Sequence, residues 1–454
     1  DKHGFALAGE IAAETDGNPF FVGEVLRSLV ESGWLVYDDT GRWRIDRSRA
    51  RALPESVRDV IERRVERLGD ETREILTLGA VIGRSFELAV LARLVEVSEN
   101  RLLDHLEAAV AASLLHESTE DVGRFRFVHG LINQTLYEAL GGTRRARIHQ
   151  RVAEALEALY GPDPGEHLGE LALHWRLATV AVDRGKAAYY ACRAGQRALD
   201  SLAPTEAVRL FGDALELLGP ADDADRCRAL IGLGQAQQLV GDPAYRETLL
   251  EASRIASALG EAELAAGAAM ANTRGWMSIV GEVDEQRVQA IVRALELDDR
   301  SDLGRRAQLL ALQAQELVYD QDPARRQALA TEAIALAREV GESRTMARVL
   351  LHSSFGLVSP ETLEVRARLA DDLLASAQAT QDRALEFWAY DVIKIVSIES
   401  GDLVRARTVV QRMEALAAEL AQPILSWMAG FSAAGLALTA GDLASGERLA
   451  EQAL

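Results

Sequence analysis

Lysine and cysteine are sparse in this 454-residue chain, and its many carboxylates form no pair whose spacing marks an acid/base couple. Its only lysines are Lys2, Lys186 and Lys394, and none ends a G-x-x-x-x-G-K-[ST] loop. Because that lysine binds nucleotide phosphates in a P-loop, the sequence excludes a Walker A site within this chain. We therefore predict no catalytic residue and expect that this chain alone does not hydrolyse ATP.

Metal-binding and nucleophilic patterns are weak as well. Cys192 and Cys227 are the only cysteines and no H-E-x-x-H pair occurs, so we predict no metal site. The run GFSAAG at 430–435 resembles a nucleophile elbow, but it has one residue too many and lies in a helical pattern. Two cysteines allow at most one disulfide, which favours a cytoplasmic protein.

The charge balance excludes several classes of partner. The chain has 50 basic and 70 acidic side chains and a formal net charge of −20, so it lacks the basic surplus of a nucleic-acid binder. No apolar run approaches the roughly 20 residues of a membrane span, and no signal peptide is recognisable. We predict no direct nucleic-acid partner and no membrane partner. Two basic runs, RWRIDRSRAR (42–51) and RRARIHQR (144–151), are interpreted as a solvated linker and a solvated helix face.

Two short segments have residue types suited to contacting a ligand. In TDGNPFF (15–21), Gly17 ends one helix, Asn18 caps the next, and Pro19 occupies the first turn, where its missing N–H costs nothing. His129 ends the strand pattern RFRFVHG and precedes a helix. Its imidazole offers an N–H donor near neutral pH, so it suits either a structural hydrogen bond or a contact with a ligand. The residues themselves leave both interpretations open.

The elements that must position these residues differ between the two parts of the chain. Up to about residue 160, the sequence predicts a β-hairpin around Asp39-Thr40-Gly41 and an amphipathic helix after Pro54. Short helices at 71–82, 87–95 and 98–113 follow. A strand pair, SLLHES and RFRFVHG, and a closing helix complete the pattern. This order predicts a winged-helix domain.

Beyond residue 160 the sequence repeats. Four dipeptides lie at intervals of 40 residues or a multiple of 40: Gly241-Asp242, Gly281-Glu282, Gly401-Asp402 and Gly441-Asp442. The two positions missing from this lattice are occupied by turn-like residues, Asp322-Pro323 and Ser359-Pro360-Glu361. Each lies between two Ala/Leu-rich helical stretches, so glycine is expected to end one helix and aspartate to cap the next. Small residues such as Gly232, Gly234 and the run Ala433-Ala434-Gly435 are expected to let helices approach closely. The prediction is a TPR-like solenoid of helix hairpins with a concave face.

Five motifs in the first part point to a family. In order, they are GNPFFVGEVLRSLVESG (17–33), LPESVRDVIERRVERL (53–68), AVIGRSFELAVLARL (80–94), FRFVHGLINQTLYEAL (125–140) and RRARIHQRVAEALE (144–157). Together they resemble the segment that follows the nucleotide-binding core of bacterial STAND-type signalling ATPases, which include the large LuxR-type transcriptional regulators. The later repeats resemble, less specifically, the TPR-like sensor of that family.

The resemblance assigns roles to the two ligand-suited segments. It implies that Gly17, Asn18 and Pro19 lie beside the adenine of a bound nucleotide, and that His129 approaches the β-phosphate of ADP and holds a closed, inactive state. It implies ATP or ADP as cofactor, bound mainly by an upstream core that is missing here. The chain starts at Asp1 without Met and ends at Leu454 in a helical pattern, so we expect a fragment of a longer ATPase.

These inferences give a mainly α protein with three parts. Residues 1–52 are predicted as a helical lid region with the β-hairpin, residues 53–160 as the winged-helix domain with linker helices, and residues 161–454 as period-40 repeats. The predicted function is the sensor segment of an ATP-dependent switch, a transcriptional regulator whose full-length form self-associates, with an effector or protein on the concave face. Two alternatives stay open: the sensor of an adenylate cyclase or protein kinase, and a nucleotide-independent scaffold. Aromatics such as Trp276, Trp388 and Trp427 are expected in the core.

Overall fold

The computed structural model describes residues 22–23, 26–27, 29–30, 35–37, 43–45, 57–178, 184–273 and 281–453. Its contacts divide the chain into two compact units, one ending at Lys186 and one beginning at Ala187. The three-part division drawn from the sequence remains a prediction. Each unit is described separately.

The predicted β-hairpin is confirmed. Strands β1 (Leu35–Tyr37) and β2 (Trp43–Ile45) pair antiparallel, with Leu35 opposite Ile45 and Tyr37 opposite Trp43. The alternation of apolar and polar residues along both segments is typical of such a pair.

A helix–strand–helix–helix–strand–strand arrangement follows the amphipathic helix α1 (Val57–Glu66). Its elements are α2 (Asp70–Ile82), β3 (Ser85–Glu87), α3 (Leu88–Ala92), α4 (Glu99–Ala111), β4 (Leu115–Glu117) and β5 (Arg124–Phe127). The sheet has the order β3-β5-β4 and is antiparallel. This order of helices and antiparallel strands agrees with the predicted winged helix, and the winged-helix assignment itself stays a prediction. The sequence prediction had the helices and the β4–β5 pair but missed β3.

Aromatic side chains hold the small sheet on the helices. Phe86 of β3 is buried, and its ring centroid lies 6.1 Å from that of Phe125 and 5.8 Å from that of Phe127 on β5. A Cβ at Gly79 of α2 would lie 2.9 Å from the Phe86 ring. The glycine therefore lets the helix approach the aromatic cluster closely.

Three helices complete the first unit before the repeats begin: α5 (Gly130–Glu138), α6 (Gly142–Tyr160) and α7 (Leu168–Leu177), the last preceded by a 3₁₀ turn. The side-chain amide of Asn133 on α5 donates hydrogen bonds to the backbone carbonyls of Ala80 and Gly83 at the end of α2, at 2.9 and 3.0 Å. These bonds occupy carbonyls that a helix end leaves without helical partners.

The rest of the chain forms TPR-like helix hairpins. The helices are α8 (Arg184–Asp200), α9 (Pro204–Leu218), α10 (Ala224–Val240), α11 (Tyr245–Leu259), α12 (Ala262–Ala271), α13 (Glu285–Leu297), α14 (Leu303–Glu316), α15 (Pro323–Val340), α16 (Ser343–Gly356), α17 (Leu363–Thr380), α18 (Arg383–Glu399), α19 (Leu403–Leu420), α20 (Pro423–Thr439) and α21 (Leu443–Ala453). From α12 onward the even-numbered helices begin 40 or 41 residues apart. The mainly α fold is as predicted.

The lattice residues lie in the turns between the paired helices. Gly241 ends α10 in the left-handed conformation, with φ 79°, and Gly401 has φ 78°. The Asp402 carboxylate accepts the backbone N–H of Arg405 at 2.9 Å, as a helix N-cap does. One lattice point differs, because Asp284 rather than Glu282 caps α13.

Close helix contacts occur at some of the predicted small residues. A Cβ at Gly232 would overlap the ring of Phe211 on α9, and one at Gly234 would overlap Leu249 on α11. Gly435 itself makes no such approach to the described residues, but Ala434 of the same run does, since a Cβ at Gly446 of α21 would lie 3.4 Å from its carbonyl oxygen. On the same helix Gly430 also lies close to a neighbour, Ala453 of α21.

Candidate functional site

His129 is the residue before α5 and lies two residues beyond the end of β5. Its Nδ1 accepts the backbone N–H of Leu131 at 3.2 Å, so the ring acts as the N-cap of α5. Because Nδ1 accepts, the proton of the neutral ring lies on Nε2. The structural role weighed from the sequence is therefore present, while the phosphate contact implied by the family resemblance stays a prediction.

Arg84 lies beside the same helix end, and the sequence analysis did not single it out. A Cβ at Gly130, the first residue of α5, would overlap the Arg84 guanidinium, which therefore lies against the glycine backbone. Backbone N–H groups at a helix N-terminus carry partial positive charge. Arg84 and the N-terminus of α5 thus place positive charge together beside His129, whose Nε2 carries the remaining ring N–H. The motif AVIGRSF contains this arginine directly after the glycine at the end of α2, but nothing in the motif relates it to Gly130.

The other predicted nucleotide residues, Gly17, Asn18 and Pro19, lie outside the described residues. Their cap geometry and their adenine contact both remain predictions. Trp276 also lies outside them.

The basic run 144–151 is only partly the solvated face expected from the sequence. Ile148 and His149 are buried, and the Arg151 guanidinium donates to the carbonyl of Leu94. Arg144 and Arg151 line a cavity of about 320 Å³ between α2, α5 and α6. A helix that packs on a core turns one side of any such run towards that core, because its side chains repeat every 3.6 residues.

A buried pair of histidines joins α6 to α7. The Nδ1 atoms of His149 and His174 lie 2.8 Å apart, and Nε2 of His149 lies 3.0 Å from the Tyr137 hydroxyl. Two imidazole nitrogens at that distance share one proton, so one ring donates and the other accepts. Burial, and then the charge of Arg145, lowers the pKa of His149 to about 4; burial, and then His149, lowers the pKa of His174 to about 3.

The repeats hold a cavity of about 420 Å³ along the inner helices α10, α12, α14, α16 and α18. Its polar lining consists of Gln235, Gln238, Thr273, Gln308, His352 and Asp382, together with the arginine Arg348. Its apolar lining includes Met270, Leu312, Leu351, Leu385 and Trp388. We call this surface the inner groove.

Three lining residues, Gln308, Arg348 and Trp388, are spaced 40 residues apart. They hold equivalent positions on α14, α16 and α18 and therefore form a row across adjacent helices. The Arg348 Nη1 donates to Gln308 Oε1 at 3.5 Å, which agrees with that placement. Trp388 is half-buried rather than fully in the core, and Trp427 is 36% exposed with its ring stacked on Phe431. The expectation that these tryptophans are core residues was too simple.

The two charged side chains that line the inner groove, Asp382 and Arg348, differ in whether an oppositely charged group lies near them. The Asp382 carboxylate caps α18 by accepting the N–H of Leu385 at 3.1 Å, and it lies 3.9 Å from the Arg344 guanidinium. Among the described residues, no carboxylate lies within ion-pair distance of Arg348.

Buried polar groups support the groove from beneath. His352 Nδ1 donates to Gln315 Oε1 at 2.8 Å, and neighbouring Glu316 pairs with Arg287 at 3.1 Å, with both charged side chains almost fully buried. Burial, and then the positive charges of Arg348 and Arg287, lowers the pKa of His352 to about 3, so this ring is neutral at pH 7. A buried paired network of this kind fixes the orientation of its members.

A second cavity of about 300 Å³ adjoins the groove and shares Gln238 and Trp388 with it. Its other walls are the turn after α10, including Pro243 and Tyr245, and the start of α20, including Ile424. Helices α10 and α20 are in contact, so the repeats curve far enough to bring an early hairpin against the last described one.

Within the described ranges, no group of three or more His, Cys, Asp or Glu side chains is arranged to hold a metal ion. Cys192 and Cys227 are both free thiols. None of the described helices combines the length and the apolar character that a membrane span requires.

Comparison with known proteins gives weak similarities. No protein-family model matches the chain. A stretch of 113 residues, 24% of this chain, is 26% identical to hybrid signal transduction histidine kinase G of Dictyostelium discoideum, of which it covers 3%. The chain therefore spans a small fraction of that curated relative.

Two solved structures are similar in fold. One is a signal transduction ATPase with numerous domains (STAND) that carries a tetratricopeptide repeat sensor, from Pyrococcus horikoshii, with 12% identity, a TM-score of 0.39, and coverage of 100% of this chain and 69% of that one. The other is a Rap protein complexed with Competence and Sporulation Factor, with 11% identity, a TM-score of 0.40, and coverage of 87% and 97%. We therefore take function from this chain's own residues and geometry.

Proposed function

We propose that this chain is the sensor and regulatory segment of an ATP-dependent signalling switch of the STAND type. The observation that carries the proposal is the inner groove, a cavity of about 420 Å³ lined by polar and apolar side chains from five inner helices. Cavities of this size, with a few polar groups set in an apolar wall, are typical of ligand sites. The repeats would bind an effector or protein there.

The nucleotide half of the proposal rests on the first unit. The five sequence motifs in their order, the winged-helix connectivity and the donors at the start of α5 support a cover that closes over a nucleotide. The nucleotide itself, ATP or ADP, is bound mainly by a P-loop core in the full-length protein, since this chain has no Walker lysine. Gly17, Asn18, Pro19 and His129 are the proposed contacts.

Effector binding drives the switch only through a difference in affinity. The effector must bind the open state more tightly than the closed one, because equal affinity for both leaves their ratio unchanged. In the open state ADP exchanges for ATP and the full-length protein self-associates. Transcriptional regulation is the proposed output.

A second candidate function is the sensor segment of a multidomain protein kinase or adenylate cyclase. The specific observation that favours it is the 26% identity over 113 residues with a hybrid signal transduction histidine kinase. Both candidates give the groove and the cover the same roles and differ only in the output domain. A nucleotide-independent scaffold is the third possibility, and it alone assigns no nucleotide role to His129.

Release of a fluorescent ADP analogue from the full-length protein tests the proposal. His129→Ala removes the proposed phosphate donor, and Pro19→Ala removes the proposed adenine contact, so both variants should release the analogue at least about tenfold faster. His116→Ala is the matched control, because His116 is an exposed histidine on the neighbouring strand β4. Its release rate should equal that of the wild type.

Unchanged release of the analogue would contradict the proposal. If both variants release the analogue at the wild-type rate while circular dichroism shows them folded, these residues are structural only. The scaffold function would then replace the switch.

A further inference from the structure

We propose that the inner groove takes a ligand with an anionic group beside a flat apolar group, the anion bound by Arg348 and the apolar part packed on Trp388. The inference rests on the proposed function and names the chemical class of the effector.

Arg348 is the described lining residue whose charge lacks an acidic partner. Its side chain is exposed to the cavity, and its contact is a long hydrogen bond to the neutral Gln308 amide. Asp382 is already held by the N-terminus of α18 and by Arg344. His352 is neutral, with its Nδ1 proton donated to Gln315. The described charged groups of the groove thus leave one cationic guanidinium for a ligand.

A guanidinium is well matched to an anion. Its planar fork of N–H donors fits the paired oxygens of a carboxylate, sulfonate or phosphate, and charged hydrogen bonds are roughly twice as strong as neutral ones. The whole chain has a net charge of −20, which repels anions from most of its surface. A single unmatched cation inside a cavity therefore selects for an anion at that place.

The apolar half of the site lies on the next repeat. Trp388 follows Arg348 in the row of equivalent positions, and Leu351 and Leu385 are buried lining residues close in sequence to the two. Trp388 also lines the adjoining 300 Å³ cavity. A flat apolar group packed on the indole buries surface on both sides, at about 25 cal/mol for each Å² removed from water. Anion and apolar group must lie within one helix spacing of each other, about 8–10 Å.

The combination excludes simpler ligands. A neutral apolar molecule leaves Arg348 desolvated without a partner, which costs binding energy. A small inorganic anion leaves the exposed part of the Trp388 indole in contact with water. An amphipathic anion satisfies both halves of the lining.

Two dyes of matched shape test the inference on the whole chain. The anionic probe is 8-anilinonaphthalene-1-sulfonate, and the uncharged probe is N-phenyl-1-naphthylamine. Fluorescence titration should give tighter binding of the sulfonate dye. The ratio of sulfonate-dye affinities of wild type and Arg348→Gln should shrink as ionic strength rises from about 0.05 to 0.5 M, because salt screens the attraction to Arg348 and affects the general repulsion equally in both proteins.

Four variants identify the side chains involved. Arg348→Gln should weaken the sulfonate dye about tenfold or more and change the neutral dye less than about twofold. Arg348→Lys keeps the charge and should keep most of the preference. Trp388→Leu should weaken both dyes. Arg368→Gln, which removes the same charge from the exposed side of the outer helix α17, should change neither.

Each outcome has one meaning. Loss of the preference in Arg348→Gln and its retention in Arg348→Lys support the inference. Equal binding of the two dyes to the wild type, or an unchanged sulfonate affinity in Arg348→Gln, overturns the anionic class and leaves the groove as a site for a neutral effector. The two proposals can fail separately. If the sulfonate dye binds as expected but ADP release is unchanged in the His129 and Pro19 variants, this inference is supported and the nucleotide switch is refuted.

Discussion

At the scale of single residues, His129 shows how far local sequence reaches. A histidine between a strand and a helix predicts a capping hydrogen bond, because the first backbone N–H groups of a helix need acceptors. The bond to Leu131 is there. The approach of Arg84 to Gly130 is a contact between residues 46 positions apart, and no local pattern encodes it.

The buried histidine pair predicts a pH-dependent stability. The pKa values of His149 and His174 lie below the usual 6.5 of the unfolded chain, at about 4 and about 3. Below pH 6.5 the unfolded chain therefore binds protons that the folded chain does not, and the free energy of unfolding falls as the pH drops towards 4. The shift of His149 alone corresponds to a loss of about 3 kcal/mol. Urea unfolding between about pH 7.5 and 4.5 measures it.

Replacing the pair isolates its share of this effect. The double variant His149→Gln, His174→Gln should show a shallower fall than the wild type, whatever its stability at neutral pH. His352 titrates in the same direction and is retained in both proteins. The control variant His116→Gln replaces an exposed histidine, and its free energy of unfolding should depend on pH as that of the wild type does. A double variant with an unchanged slope would mean that the two rings do not titrate as a buried pair.

Buried charges were beyond the reach of sequence. Arg287 and Glu316 look like ordinary surface residues of α13 and α14, yet both are almost fully buried as a pair. Their burial depends on how α13 packs against α14. Removing one partner of such a pair leaves a buried charge without a partner. The pattern of apolar residues along each helix does not predict the pair.

At the scale of elements, turns were predictable and one strand was not. Gly241 and Gly401 adopt positive φ because glycine lacks the Cβ that makes the left-handed region costly, and aspartate after glycine supplies the cap. Strand β3, Ser85–Glu87, has no partner strand joined to it by a turn, unlike the β1–β2 and β4–β5 pairs, so no hairpin pattern marks it. It forms because β5 offers an edge and Phe86 reaches the core.

Close helix contacts predict opposite effects for two glycines. Gly232 lies in α10 against the Phe211 ring, so Gly232→Ala should lower the free energy of unfolding by about 1–3 kcal/mol through overpacking. Gly212, inside α9, has no described atom within 4 Å of an added Cβ. Gly212→Ala should therefore raise it by up to about 1 kcal/mol, because alanine favours a helix over glycine.

Urea denaturation followed by helical circular dichroism measures both changes on the same chain. The signs matter more than the sizes. Two variants of equal stability would show that α9 and α10 are farther apart than the structure places them, since a real gap at Gly232 would accept a methyl group without strain.

At the scale of the whole molecule, the repeats were predictable and the groove was not. The 40-residue lattice depends on glycine and aspartate at turns, so it survives in the sequence. The inner groove depends on how much each hairpin rotates relative to the last, a small angle summed over many repeats. Gln308, Arg348 and Trp388 share a spacing of 40, but glutamine, arginine and tryptophan do not look alike, and only curvature brings Gln238 near Trp388.

The groove is therefore expected to be a property of the repeats alone. All lining residues of its two cavities lie between Gln235 and Leu425, within the second unit. A fragment of residues 184–454 should fold to a helical protein and bind 8-anilinonaphthalene-1-sulfonate with an affinity within about threefold of the whole chain, because each repeat is stabilised mainly by its neighbours.

A shorter fragment of residues 184–340 provides the contrast. It keeps α8 to α15 but lacks the helices that carry Arg348 and Trp388, so it should be helical and bind the sulfonate dye no better than the uncharged one. If the longer fragment were helical yet lost the preference, the groove would need the first unit to hold its shape. The repeats would then not be an independent sensor, and the proposal that they bind the effector without help from the first unit would fail.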